Sequence, residues 1–146
     1  MRSKVKVLFL IAITWLLCCS SLAVAETIKI TFLHIEKPIQ IEWANTVIER
    51  FEQLHPNIDV ELITSPAGTA YQEKVAVLTA AGVAPDVFMG FGDKLGFIVR
   101  GFAEDITELV KRDEVELQMN TFFPDVWDSH VYQGRIYGVP HNMTTQ

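Results

Sequence analysis

The residues from Thr27 to Leu33 alternate polar and apolar side chains and then turn wholly apolar, the period-two signature of a strand entering a core. After a polar break from His34 to Pro38, Ala44, Val47, Ile48, Phe51 and Leu54 recur at helical spacing, with Glu49, Arg50, Glu52 and Gln53 opposite them. Pro56 disfavours helical dihedrals in the residue before it, so this helix ends near His55. Ile58 to Ile63 alternates again and predicts a second strand. A loop from Ser65 to Thr69 leads into a helix carrying Tyr71, Val75 and Leu78 on one side and stopping at Gly82. Asp86 to Met89 predicts a short third strand between Pro85 and Gly90, followed by helices over 94–100 and 104–112, the latter with Ile106, Leu109 and Val110 on its buried side. Beyond Glu114 the pattern changes to a short helix starting around Phe122 to Trp127 and a hairpin turning at Gln133-Gly134. Parallel neighbours need a crossover of about a dozen residues, which a helix supplies, so strand alternating with helix predicts an α/β fold with a largely parallel sheet flanked by helices.

The most apolar stretch lies outside this pattern. Arg2, Lys4 and Lys6 precede the apolar run Val7 to Leu17, and Ala23-Val24-Ala25 is the small-x-small sequence read by signal peptidase. Residues 1–25 are therefore expected to be a signal peptide, leaving a mature chain from Glu26. Ser20 and Ser21 cut the run short of the roughly 20 apolar residues that a spanning helix needs. Both cysteines, Cys18 and Cys19, fall in the leader, so the mature chain has no disulfide framework and must rest on an ordinary packed core. A chain that is 49% hydrophobic and 21% charged can build one. The full chain carries a formal charge of −6, and losing the three basic residues of the leader makes the mature part more acidic still. Phosphate binding leans on a basic surface, so nucleic acid is not expected as a partner.

Candidate chemistry is sparse. Gly90-Phe91-Gly92-Asp93-Lys94-Leu95-Gly96 follows a strand and opens a helix, as a dinucleotide-binding turn would, but its third glycine comes one residue late and it follows the third strand rather than the first. It reads as a tight turn or as a ligand loop at the carboxyl end of a strand, where open α/β sheets bind. His34, His55, His130 and His141 are scattered, with no i, i+4 pair and no cysteine, so no metal and no cofactor is expected. His34 and His141 each follow a strand-like segment and could converge on one cleft. No nucleophile motif is present. Trp43, Phe51, Phe102 and Phe123 read as core, whereas Tyr71 and Phe91 sit beside strand ends, where an aromatic face could stack on a sugar ring.

In this order of elements the chain resembles the N-terminal part of extracellular solute-binding proteins, family 1, of bacterial ABC importers. The residues that carry the resemblance are Ile28 to Phe32, Val47 to Val60 with its Phe51-Glu52-Gln53-Leu54-His55-Pro56-Asn57 core, Tyr71 to Val75, Ala80 to Val87 and Tyr132 to Pro140. The resemblance implies a periplasmic-binding-protein-like (type II) fold of two lobes, of which residues 26–146 would be part of the first. It implies a monomeric protein that binds a small solute, with a sugar foremost, closes about a hinge and meets a membrane permease, without catalysis. It places His34, Ile35, Glu36, Tyr71, Phe91, Asp93, His141 and Asn142 in candidate ligand positions, with Asp93 accepting from sugar hydroxyls and Phe91 or Tyr71 stacking. An exported carbohydrate-active enzyme and a membrane-anchored sensory ectodomain are the competing readings.

Overall fold

A computed structural model describes residues 26–90 and 94–141. The leader assigned to residues 1–25, the glycine turn through 91–93 and the last five residues lie outside this set. The elements in order are β1 (Ile28–Ile35), α1 (Pro38–Leu54), β2 (Ile58–Ser65), α2 (Thr69–Ala80), β3 (Val87–Phe88), α3 (Lys94–Val99), α4 (Thr107–Arg112), a 3-10 turn (Met119–Thr121), α5 (Pro124–Asp128), β4 (Val131–Tyr132) and β5 (Arg135–Ile136). The first helix begins earlier than its apolar spacing predicts because Pro38 occupies its first turn, where a missing amide costs nothing.

Three strands form a parallel sheet in the order β2-β1-β3. β1 pairs with β2 over its whole length, from Ile28 opposite Ile58 to Ile35 opposite Ser65, and β3 sets Val87 opposite Phe32 and Phe88 opposite Leu33. Because the first crossover steps one way across the sheet and the second steps back, right-handed connections put α1 and α2 on opposite faces. On the α2 face, Leu33, Ile35, Tyr71, Val75 and Phe97 are fully buried, with Ile63, Phe88, Met89 and Phe102 packed around them. Each such side chain contributes about 1.5–3 kcal/mol when taken from water, so this cluster is the main apolar driving force for the layer. On the α1 face, His34 meets Phe32 and Trp43, and Ala44 is the buried residue of the helix.

Side chains complete the ladder where the strands run out. Asp86 accepts at one carboxylate oxygen from the Thr31 amide and the Thr31 hydroxyl, both at 2.7 Å, and its own amide donates to that hydroxyl at 3.0 Å. At the other end of β3 the Tyr71 hydroxyl donates to the Leu33 carbonyl and accepts from the Met89 amide, each at 2.9 Å. Glu52 of α1 accepts from the amide of Val60 on the outer strand β2 at 2.8 Å. Among the described residues β3 pairs with β1 alone, which leaves its other edge open.

The hairpin turns at Gln133-Gly134 as expected, with positive φ at both residues, 51° and 76°, the combination a two-residue turn between twisted strands requires. It is tied back to the domain by Ile106 N to Ile136 O at 2.8 Å, Ile136 N to the Thr107 hydroxyl at 2.9 Å and Tyr137 N to His130 O at 3.0 Å. Three packing expectations fail. Trp43 is 45% exposed, Phe123 is 67% exposed and Leu109 is 51% exposed, so none of them is core. Helix α4 starts at Thr107 rather than Glu104, and six residues bury only Val110, which leaves Leu109 on the outer side.

Candidate functional site

Four rings gather at the carboxyl end of β1. His34 meets Phe32 edge-on at 5.4 Å between centroids, Trp43 at 6.0 Å and His141 at 6.2 Å, the last pair parallel to within 6°. Trp43 and His141 close the group at 5.3 Å. The local reasons are simple: alternation along β1 turns His34 to the α1 face, the second turn of α1 brings Trp43 over it, and the tethered hairpin returns the chain so that His141 lies against both. His34 itself is buried, and its Nδ1 lies 3.2 Å from the Ile35 carbonyl. A carbonyl can only accept, so Nδ1 carries the proton, and Nε2 is left buried without a hydrogen-bond partner. Burial lowers the pKa of His34 below the ordinary 6.5; the Ile35 carbonyl works against this and His141 adds to it.

Trp43 and His141 line an open cleft of about 1310 Å³ that runs along the free edge of β3. Phe32, Val87 and Met89 form its sheet side, and Phe102 to Ile106 and Tyr137 to Val139 face them. A second group stands on the cleft wall. Lys94 donates from Nζ to the Ser129 hydroxyl oxygen at 3.1 Å, Ser129 donates to the Val126 carbonyl at 2.7 Å, and His130 Nδ1 is 3.0 Å from both that carbonyl and the Ser129 oxygen. With its proton directed to a backbone carbonyl, Ser129 is not set up as a nucleophile for His130 to activate. Burial lowers the pKa of His130, the Val126 carbonyl opposes that, and Lys94 and His141 lower it further. Among the described residues no three of His, Cys, Asp and Glu converge on a point that could hold a metal ion.

The eight candidate positions fare differently. His34 and His141 come together, with His141 at the cleft and His34 behind it. Glu36 is exposed just beyond β1, where its amide donates to the Ser65 carbonyl at 2.7 Å. Ile35 and Tyr71 are corrections. Ile35 points into the buried cluster, and Tyr71 is wholly enclosed with its hydroxyl engaged on both sides, so neither offers a surface to a solute. Phe91, Asp93 and Asn142 lie outside the described residues. Trp43, Lys94, Ser129 and His130 were not among the candidates. Trp43 had a readable signal, because it stands at i+4 from Ile39 and i−4 from Val47, and all three are exposed. The pairing of Lys94 with Ser129 spans 35 positions and has no local signature.

A parallel α/β layer with a cleft beyond its strand ends is the architecture of type II periplasmic-binding proteins. The chain belongs to the bacterial extracellular solute-binding protein family, whose model matches residues 37–146. Among solved structures, the sugar-binding protein MalE of Xanthomonas citri is 29% identical with a TM-score of 0.67, over 77% of this chain and 28% of that one. Maltose-bound MalE3 of T. maritima is 27% identical with a TM-score of 0.59, over 75% and 27%. An ABC substrate-binding protein of Listeria monocytogenes, in complex with cycloalternan, shares the fold at 24% identity and a TM-score of 0.67, over 77% and 28%. The chain thus spans little more than a quarter of the length of these relatives, which are binding proteins rather than enzymes.

Proposed function

We propose that this chain is the first part of the substrate-binding component of an ABC importer, which captures a sugar or oligosaccharide outside the cytoplasmic membrane and delivers it to a membrane permease. The observation that carries the reading is the half-exposed Trp43 beside His141 in the cleft wall at the carboxyl end of β1. A half-exposed indole, tilted against two imidazoles, can offer an apolar surface to the C–H face of a pyranose ring, while neighbouring polar groups can meet its hydroxyls. Membership of an extracellular family and the sugar ligands of the MalE relatives support it. In this reading residues 1–25 are the export leader, residues 26–146 belong to the first lobe, and a second lobe closes over the solute about a hinge.

The test is calorimetric titration of the purified full-length protein with an oligosaccharide library, followed by chromatography of the recovered ligand. Saturable binding with the sugar returned intact is the expected result. Hydrolysis or rearrangement of the sugar would assign the protein to the exported enzymes instead.

A further inference from the structure

His34 backs the two rings that are proposed to meet the solute. Trp43 and His141 line the cleft, whereas His34 is only 1% exposed and touches both of them, at 6.0 and 6.2 Å between centroids. Its Nδ1 proton is committed to the Ile35 carbonyl, and no donor or acceptor of the protein meets Nε2. A neutral ring tolerates that position. A protonated one does not, because Nε2–H would be a buried donor on a cation with nothing on the protein to accept it. The surroundings give such a charge no help. Among the described residues neither Glu36 and Lys37, which follow β1, nor Glu42 beside Trp43, nor Asp86, Glu104 and Asp105 of the cleft makes an ion pair with His34, and β2 sets the uncharged Thr64 opposite it. The titratable group that does act on it is His141, which opposes a charge there.

We infer that His34 is the positioning residue of the solute platform: its neutral ring holds Trp43 and His141 in place, and proton uptake drives that ring from its slot and breaks the platform, so solute is held near neutral pH and released in acid. The inference rests on the sugar-binding reading above and adds its regulation. With Trp43 and His141 packed against it, the ring reaches water only by displacing one of them. Solute resting on those two residues therefore requires the neutral ring. Binding then gives up whatever proton the free protein has taken up at His34, and affinity falls as pH drops through the titration of that ring, which burial, with His141 adding to it, sets below 6.5.

The experiment is isothermal titration of the full-length protein with a library of neutral oligosaccharides that includes maltose and mannotriose, at pH 7.5, 6.5, 5.5 and 4.5, with a melting curve at each pH to show a folded sample. Nitrogen-15 NMR of the imidazoles over the same range follows His34 in the unaltered protein. The expected result is an affinity that is level above pH 6.5 and then falls by up to about tenfold per pH unit, as one linked proton allows, with its midpoint on the His34 titration. In His34→Phe, whose ring takes up no proton, the fall below pH 6.5 should disappear. An affinity that stays level down to pH 4.5, a fall that tracks His130 or His141 instead, or a fall that persists in His34→Phe overturns the inference and leaves the sugar-binding reading standing. If the variant does not fold, coincidence of the affinity and NMR curves in the unaltered protein decides. If no sugar of the library binds at any pH, the sugar reading itself fails and the positioning role with it.

Discussion

Removing the hydroxyl of Tyr71 distinguishes a structural tyrosine from a ligand-stacking one. The ring is fully buried among Leu33, Ile35, Val75 and Phe97, and the hydroxyl joins the Leu33 carbonyl to the Met89 amide. Those two backbone groups also bond to each other at 3.1 Å, so Tyr71→Phe orphans neither of them. The cost is then that of ordinary net hydrogen bonds, about 1 kcal/mol, rather than the larger penalty for stranding a buried polar group. Tyr71→Ala also empties the ring volume, and large-to-small changes at aromatic core sites cost about 3–5 kcal/mol. Urea unfolding of the purified protein, read as the midpoint at constant m, should therefore place the two variants about 2–4 kcal/mol apart. Solute affinity of Tyr71→Phe should match the parent. A Phe variant that loses 3 kcal/mol, an Ala variant that loses under 1, or a clear drop in affinity for Tyr71→Phe would refute the reasoning.

The carboxylate of Asp86 is held below its ordinary pKa by the hydrogen bonds from Thr31, so the clamp stabilises the fold above the unfolded value near 3.8 and is lost as pH falls further. Asp86→Asn should cost about 1 kcal/mol at this exposed site and flatten the acid limb of a pH series of thermal melts. His34 has the opposite charge logic: burial holds its pKa below 6.5, the unfolded chain takes up the proton first, and stability falls as pH drops below 6.5. His34→Leu should therefore show a shallower loss of melting temperature between pH 7 and pH 5 than the parent does. At the hairpin tip Gly134 has φ of 76°, so Gly134→Ala should lower stability by about 1–2 kcal/mol, measured by the same urea series.

Much of the parallel layer was legible because its signals are local. Alternation in Thr27 to Leu33 and in Ile58 to Ile63 marks two strands, and the structure extends both by two residues toward their carboxyl ends. The apolar stripe of Ala44, Val47, Ile48, Phe51 and Leu54 marks α1, but periodicity says only that one stripe packs best. It does not tell how much of the stripe is covered: Val47 and Leu54 stay exposed in it, as Trp43 does beside it, so the core assignment of Trp43 fails. Tyr71 shows the reverse error. Its place at the start of α2 is compatible with a mouth or a core, and what decides is the depth of the α2 face beneath Leu33 and Phe97, a tertiary property. His34 and His141 could be brought together from sequence because both follow strand-like segments. The Lys94, Ser129 and His130 group could not, because it depends on how α5 and the hairpin fold back on α3.

The central claim is that a solute ring rests on Trp43 in the cleft at the carboxyl end of β1. The most direct test is calorimetric titration of full-length protein and of its Trp43→Ala variant with the tightest-binding sugar, each sample first shown to melt cooperatively. The account predicts saturable binding by the parent and a loss of about tenfold or more in the variant, the order of one ring-stacking contact. Equal affinity in a folded Trp43→Ala variant would contradict it.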